Sequence, residues 1–558
     1  MRVKNSFLLL FILLRYSISL IAQSPNIPSD NQTYELLQDI EIGRGKLSNK
    51  VHSTLRPFSR SQAFALAGEG DAADSSSRYL REAIAFVNKD QGIWAQATDL
   101  PLSRKSLFAN RAHFFAYKDA DYTLVINPVL NAGYGLNSLV GNNASYNTRG
   151  LEICGTIYKN LSFYTYVTDN IVFPMNYVAN YVGDNRVYPT ANLTKPLPGG
   201  GYNFWQARAY LTYNPIKPLS FQFGHDRHFI GDGYRSFIMS DFGREFLFAK
   251  ANFTSKRINL MFMGAQMINQ FTPNWKNMAE KKYIAMHHLS IKLGKKLNIG
   301  LFETIIFSRT DSNGNNSGFD FSYANPIAFF RVVEHGLNSS DNAMLGLNYK
   351  YLPFKKVMVY GQLVLDEFKL DDVLAGTGWY GNKYALQTGI KILNPFGFDG
   401  FSLRAEYNVV RPYTFMHIKR AQSFVHNNIP VGHPLGSNFK ETIVVLRYQL
   451  NKNWVVSLSG MHYIKGYDKD NKNYGGDIAN KEYPTAVNIY GNYIGQGQRA
   501  DVTFAEAHVS YMLFHNLFID ASYLNRNSNS RLTRYNNKTE VISLGLRYNI
   551  GRSNFMML

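Results

Sequence analysis

From about residue 106 to the C-terminus the sequence alternates apolar and polar residues with a period of two. In 402–409, Ser402, Arg404, Glu406 and Asn408 alternate with Leu403, Ala405, Tyr407 and Val409. In 505–511, Ala505, Ala507, Val509 and Tyr511 oppose Glu506, His508 and Ser510, and in 542–548 Ile542, Leu544, Leu546 and Tyr548 oppose Ser543, Gly545 and Arg547. That period places successive side chains on opposite faces of a β-strand. The runs come in pairs joined by short turns, as in RGLEICGTIYKNLSFYTYVTD (149–169), FLFAKANFTSKRINLMFMGAQM (246–267) and VTFAEAHVSYMLFHNLFIDASYL (502–524). Each run is about the 9–11 residues of a tilted membrane-spanning strand.

Alternation has the same period in a soluble sandwich, with its apolar face inside, and in a membrane barrel, with that face outside. Three features favour the barrel. Aromatics make up 15% of the chain, nearly all Phe and Tyr. The turns at 159–160, 214–218, 254–256, 294–296, 352–355, 393–400, 451–453 and 514–516 are short. The connections between them (132–148, 169–203, 225–245, 268–283, 308–342, 367–384, 411–439, 464–501, 525–539) are long and polar. Short periplasmic turns alternating with long external loops are the bacterial barrel pattern, and a barrel with both ends in the periplasm needs an even strand number. About 19 segments qualify as strands; setting aside 106–118, which would start the chain outside, leaves an all-β transmembrane antiparallel β-barrel of about 18 strands. Its first spanning strand begins at Tyr122, and 106–118 is expected to belong with the helical region below the rim.

The N-terminus reads as an export signal over residues 1–22: Arg2 and Lys4, then the apolar run Phe7 to Leu14, too short to span a bilayer as a helix. Residues 23–105 are helical in pattern. Leu36, Leu37 and Ile40 share a face, with Gly43 expected to stop that helix. Tyr79, Leu80, Ala83, Ile84 and Val87 share another, behind capping serines. Residues 106–558 make up the barrel region. The single cysteine, Cys154, excludes an intrachain disulfide and a cysteine-based zinc site. The formal net charge of +19 in an exported chain suits acidic partners such as lipopolysaccharide phosphates, acidic polysaccharide or an anionic membrane, and not nucleic acid.

The connection after FQFG concentrates chemistry: HDRHFIGDGYRSFIMSDF, 225–242. It is not a phosphate-binding P-loop, which needs a Lys-Ser/Thr after its glycines and a helix behind them. Zinc needs three protein ligands; His225 and His228 offer two and Asp226, Asp232 or Asp241 could add a third, but the spacing is generic, and no metal and no cofactor is expected. Arg227, His228, Tyr234, Arg235 and Ser236 offer donors and a stacking face suited to a sugar or a carboxylate, and Gly231 and Gly233 allow tight backbone turns. The same residues could instead lock the loop against the barrel wall. Elsewhere, His287-His288 point to opposite faces of a strand, Glu303 and Glu334 have no partner evident in sequence, and Ser290 beside His288 is the nearest hint of a nucleophile. Asp366, Glu367, Asp371 and Asp372 flank a loop able to hold a cation or simply to be solvated. Arg208, Gln362, Arg404, Glu406, Arg447, Glu506, His508, Asp520 and Arg547 are expected to face the lumen and to pair there with one another.

The pattern G-x-D-R-x-F-I-G-x-G-Y-R-S-x-x-x-S, from Gly224 to Ser240, resembles the central motif of Wzi-type capsule-assembly outer-membrane proteins. LLQDIEIGRGKLSNKVHSTLRPFSR (36–60), YGQLVLDEFKL (360–370), GWYGNKYALQTGIK (378–391) and EYNVVRPYTF (406–415) resemble a Bacteroidetes branch that includes the gliding-motility outer-membrane protein RemB. The sequence departs from the enterobacterial motif at Phe229-Ile230 and Asp232. The resemblance implies an outer-membrane barrel with a periplasmic helical plug and no enzymatic activity. Its ligand would be surface or capsular polysaccharide, with lipopolysaccharide, membrane lipid and surface-assembly or gliding proteins as further partners. Arg227, His228, Gly231, Gly233, Tyr234, Arg235 and Ser236 are then the candidate ligand-binding residues. A porin-like diffusion channel is the alternative, and a lipid- or glycan-processing enzyme a more distant one.

Overall fold

The computed structural model describes residues 24–70, 76–95, 112–137, 143–158, 160–191, 194–269, 279–309, 318–327, 329–479, 485–532 and 535–552. The export signal expected over 1–22 lies outside the described residues. The chain forms a closed 18-stranded antiparallel β-barrel. Its strands are β1 Tyr122–Asn137, β2 Ala144–Ile157, β3 Leu161–Phe173, β4 Gly201–Ile216, β5 Leu219–Asp226 and β6 Phe246–Thr254. Then follow β7 Ile258–Ile268, β8 Lys281–Leu293, β9 Leu297–Phe307, β10 Asn342–Tyr351, β11 Val357–Glu367 and β12 Lys383–Leu393. The last are β13 Phe401–Val410, β14 Phe439–Gln449, β15 Trp454–Tyr467, β16 Gln498–Phe514, β17 Leu517–Ser530 and β18 Asn537–Tyr548. Each pairs with the next, and β18 closes on β1 from Val541↔Asn137 to Tyr548↔Leu130.

The eight short turns fall where the period of two breaks off. Strand length departs from expectation: β16 has 17 residues and β1 and β4 have 16 each. Alternation continues past the thickness of a bilayer because the inner face still packs against inserted chain. The segment set aside before Tyr122 contributes a four-residue strand, Phe115–Lys118, which pairs with Ile126 to Thr123 on the same edge of β1 as β18, along the stretch that β18 does not reach. Between those two partners sits Pro128, a residue with no N–H to leave unpaired; its carbonyl accepts from the Asn549 amide at 2.9 Å.

Outward positions are apolar and exposed, as at Leu211, Phe223, Leu301, Leu345, Leu458 and Leu544, and aromatic residues (Tyr122, Tyr158, Tyr213, Phe354, Phe514) cluster at the short-turn rim. This is the lipid-facing belt and girdle of a membrane barrel. Inward positions are polar and buried, including Gln206, Asn348, Lys350, Gln362 and Lys391.

Residues 24–70 and 76–95 fold inside the barrel at its short-turn end, with three helices, α1 Thr33–Arg44, α2 Arg60–Ala67 and α3 Arg78–Gln91. They share a small core of Ile27, Leu37, Ile40, Val51, Leu66, Ala83 and Val87. Ser59 and Gln62 form a capping box on α2, and Ser77 caps α3. The stop of α1 is Gly45, at φ 65°, not Gly43. Gly43 serves packing instead: a Cβ there would lie 2.5 Å from Leu80 Cδ1, so its absence lets α3 approach α1.

The lumen-facing set pairs among itself only in part. Arg547 meets Asp520 at 2.6 Å and His508 lies 3.2 Å from the same carboxylate. The others reach the inserted chain: Arg208 to Asp30 (2.7 Å), Arg404 to Gln38 (2.6 Å), Arg447 to the Tyr79 hydroxyl (3.1 Å), Glu506 to Arg552. A lumen filled by backbone offers wall side chains more partners than the opposite wall does.

Candidate functional site

The 227–245 connection folds down into the lumen and meets the helical segment. Phe229-Ile230 pairs antiparallel with Leu55-Arg56, and the Arg56 guanidinium lies between the Tyr34 and Phe229 rings at 5.1 and 4.9 Å. Asp232 accepts from Thr54 Oγ1 at 2.7 Å and lies 2.8 Å from Lys350 Nζ, which is also 2.8 Å from Glu41 of α1. Burial alone would raise the Glu41 carboxyl; Lys350, Ser53 and the Ser48 amide outweigh it and hold the group below its usual range.

The candidate residues of this loop are all brought together, and each has protein partners. Arg227 reaches Asp30 (2.8 Å), Glu245 (3.3 Å) and the Asp241 carbonyl (2.9 Å). His228 packs edge-on against Phe248, its Nε2 3.2 Å from Lys250 Nζ; burial, then Lys250, drives its pKa far down, so the ring is neutral. Gly231 has φ 141°, and a Cβ there would lie 2.3 Å from Gln362 Nε2. At Gly233 a Cβ would lie 2.7 Å from Glu406 Oε2, the oxygen that accepts from the Tyr234 amide at 2.6 Å. Arg235 donates its amide to Glu406 (3.1 Å), and its guanidinium is 3.7 Å from Glu441 and faces the Tyr234 ring. Ser236 donates to the Ile230 carbonyl at 2.6 Å. Arg227, Tyr234 and Arg235 also line a cavity of about 80 Å³ with Arg208, Asp241 and Arg552. Burial and the Asp30 charge raise the Asp241 carboxyl to about 6.

A second inserted connection, 411–438, packs over the first: Phe237, Ile238 and Met239 share a core with Phe415, Met416, Phe424, Val425, Ile429 and Val431. The outer half of the lumen is therefore filled by loops and the inner half by helices. Toward the short turns a cavity of about 530 Å³ remains between α1, α3 and the β12–β18 wall. Toward the long loops lies a separate cavity of about 310 Å³. Five tyrosines line it: Tyr177 and Tyr181 on a helix (Asn176–Asn185), Tyr463 and Tyr467 at the end of β15, and Tyr535. Tyr467 and Tyr535 stack at 4.0 Å. Arg526 faces the Tyr177 ring at 4.6 Å and donates to the Tyr463 hydroxyl at 3.1 Å, and Asp184 accepts from Tyr535 at 2.8 Å. Asp468, Asp477 and Lys465 also line the cavity. Aromatic faces beside charged hydrogen-bonding groups are the chemistry that holds a saccharide. The sequence does not disclose this cluster, because its tyrosines come from two connections and one strand end remote in the chain.

The other candidates separate. Ser290 donates to Asn298 (2.8 Å) and lies 2.9 Å from His52, while His288 turns to Asn348 (2.9 Å), so Ser290 and His288 do not form a pair. Asp366 sits 3.2 Å from Lys383, and Asp372 3.0 Å from Lys369.

No model of a known protein family matches the chain, and no curated protein does. Among solved structures it is similar to Wzi of Escherichia coli, described as an outer membrane protein involved in group 1 capsule assembly and as a carbohydrate-binding β-barrel. The TM-score is 0.54 at 12% identity, over 95% of this chain and 100% of that one. It is also similar to OccK8 (OprE) of Pseudomonas aeruginosa, with TM-score 0.41 and 10% identity over 76% of this chain and 97% of that one. OccAB3 of Acinetobacter baumannii gives 0.42 and 9%, over 77% and 99%. At 12% identity the likeness to Wzi is one of fold, and the fold is that of a multi-pass outer-membrane β-barrel.

Proposed function

We propose that the protein is a non-enzymatic barrel that holds a surface polysaccharide at its long-loop end, for attachment of a capsule or exopolysaccharide or for gliding-associated surface assembly. The observation that carries this is the tyrosine-lined cavity with Arg526, Lys465, Asp184 and Asp468, closed beneath by the inserted loops. Long loops face the exterior in bacterial barrels. Arg227, His228, Gly231, Gly233, Tyr234, Arg235 and Ser236 serve this site from below: they fix the inserted loop on which the outer connection rests, while the small cavity that Tyr234 and the two arginines line is separate from it. The carbohydrate named for Wzi supports the ligand class.

The test is binding of the cell's own extracted surface polysaccharide to purified protein, comparing the parent with Tyr467→Ala and Arg526→Ala. Loss of one charge-assisted hydrogen bond is worth about 1.5–3 kcal/mol, so Arg526→Ala should weaken binding about tenfold or more. Unchanged binding by both folded variants overturns the reading. Steady conductance by the intact protein in liposomes would favour the diffusion-channel reading instead.

A further inference from the structure

Between β9 and β10, residues 318–327 and 329–339 lie against the outside of the barrel. Their Phe319, Tyr323 and Phe330 pack against the outward-facing Tyr283, Ala285, Ile305 and Phe307. Two polar side chains of the wall meet them there. Glu303 of β9 accepts the backbone N–H groups of Phe330 (2.8 Å) and Arg331 (3.0 Å), the first turn of the helix Phe330–Leu337. His287, its cross-strand partner on β8, lies with Nε2 3.0 Å from the Asn325 carbonyl and stacks on Phe330 at 4.0 Å. At the base, Arg309 forks onto Asp341 at 2.8 and 2.7 Å and reaches Asp320 at 3.0 Å.

Glu303 and His287 stand on the lipid side of the wall. Leu301, two residues nearer the short turn and about 7 Å away along the strand, is exposed, as is Leu345 across the next strand pair. A bare carboxylate and imidazole are costly facing hydrocarbon; here both are met by this connection. Its own outer surface is apolar: Phe321, Ile327, Phe329 and Val332 are 70–82% exposed, with Leu337 beside them. That surface continues the lipid-facing belt one layer further out. The exposed Arg331 and His335 on the same helix suit the headgroup level.

We propose that residues 318–327 and 329–339 form a flap whose apolar face, Phe321, Ile327, Phe329, Val332 and Leu337, docks into the outer leaflet at the boundary between acyl chains and headgroups, as interfacial amphipathic helices do. The occupant of that face is membrane lipid.

The experiment places a nitroxide on Val332→Cys in the full chain carrying Cys154→Ser, reconstituted in phosphatidylcholine vesicles, and reads its accessibility to oxygen and to a water-soluble nickel chelate. Labels at Leu345→Cys (belt) and Asp470→Cys (exposed loop) calibrate the two extremes, and heat-modifiable gel mobility confirms folding of each protein. Leu337→Cys is the second site should Val332→Cys fail to fold. The Val332 label should match Leu345: oxygen-rich, with nickel access about fivefold or more below that of Asp470. Nickel access equal to that of Asp470 would place the face in water, and exclusion of both reagents would place a second copy of the chain on it. Either result overturns the proposal.

Discussion

Replacing Asp232 with Asn keeps the shape of the side chain and removes its charge from a site where it meets Thr54 at 2.7 Å and Lys350 at 2.8 Å, both buried. Breaking a buried ion pair outright costs about 3–5 kcal/mol. Lys350 keeps Glu41 at 2.8 Å and the Ser53 hydroxyl at 2.9 Å, so the single change should cost less, about 2–3 kcal/mol. That loss falls on the docking of the helical segment, because Asp232 also accepts from Gln38 of α1 through its carbonyl (3.0 Å). Proteolysis within 24–95 follows the population of the undocked form when reclosing is fast. Cleavage should therefore speed up about 30- to 150-fold, at about 1.4 kcal/mol per tenfold. Adding Glu41→Gln strips Lys350 of its second carboxylate, and the double variant should lose more than the two single losses combined. A folded Asp232→Asn protein cleaved at the parental rate refutes the account of this loop as the clamp on the helical segment.

Acidification should loosen the same segment through His52. Burial, then Lys292, lowers its pKa to about 4 from 6.5, so the docked state binds fewer protons and stability falls as pH drops from 6.5 toward 4. At pH 5 the loss is about 2 kcal/mol; His52→Asn should flatten that part of the proteolysis–pH profile, and an unchanged profile would refute the assignment. Gly231→Ala should destabilise the inserted loop by about 1–3 kcal/mol, because φ 141° strains any Cβ and Gln362 already fills the space; calorimetry of the folded protein checks it. A cysteine at Asp470, in a long connection, should react with an impermeant reagent on whole cells, and one at Lys452, in a short turn, only after permeabilisation; the reverse would invert the barrel.

Period-two alternation is a local signal, so strands, turns and their parity were legible in the chain itself, and α1 and α3 were legible from helical spacing. What could not be read depends on partners distant in sequence. Glu303 and Glu334 look isolated, yet Glu303 caps a helix about thirty residues on and Glu334 pairs with Arg331 at 2.7 Å. Gly43 reads as a helix stop because spacing carries no information about Leu80. Arg227, His228 and Arg235 read as ligand donors because nothing local shows that Asp30, Lys250 and Glu441 stand beside them.

The positive charge of the chain has a structural use that composition does not disclose. Irregular chain inserted into a lumen brings carbonyl groups that need donors. The inner wall supplies lysines for them: Lys282 donates to the Ser423 carbonyl (2.7 Å), Lys383 to Met416 (2.9 Å), Lys292 to Ser48 and Val51 (2.6 and 2.8 Å). Lys465 donates to Leu435, Ser437 and Gly476 at 2.6 to 3.1 Å. A lysine on a flexible stem can turn its three protons toward whatever carbonyls a loop presents, which a short hydroxyl on the wall cannot reach. These four cations hold the inserted segments in place. Part of the formal +19 is therefore committed to filling the barrel, and at the long-loop end Arg526 brings its charge to the tyrosine cavity, where it donates to the Tyr463 hydroxyl.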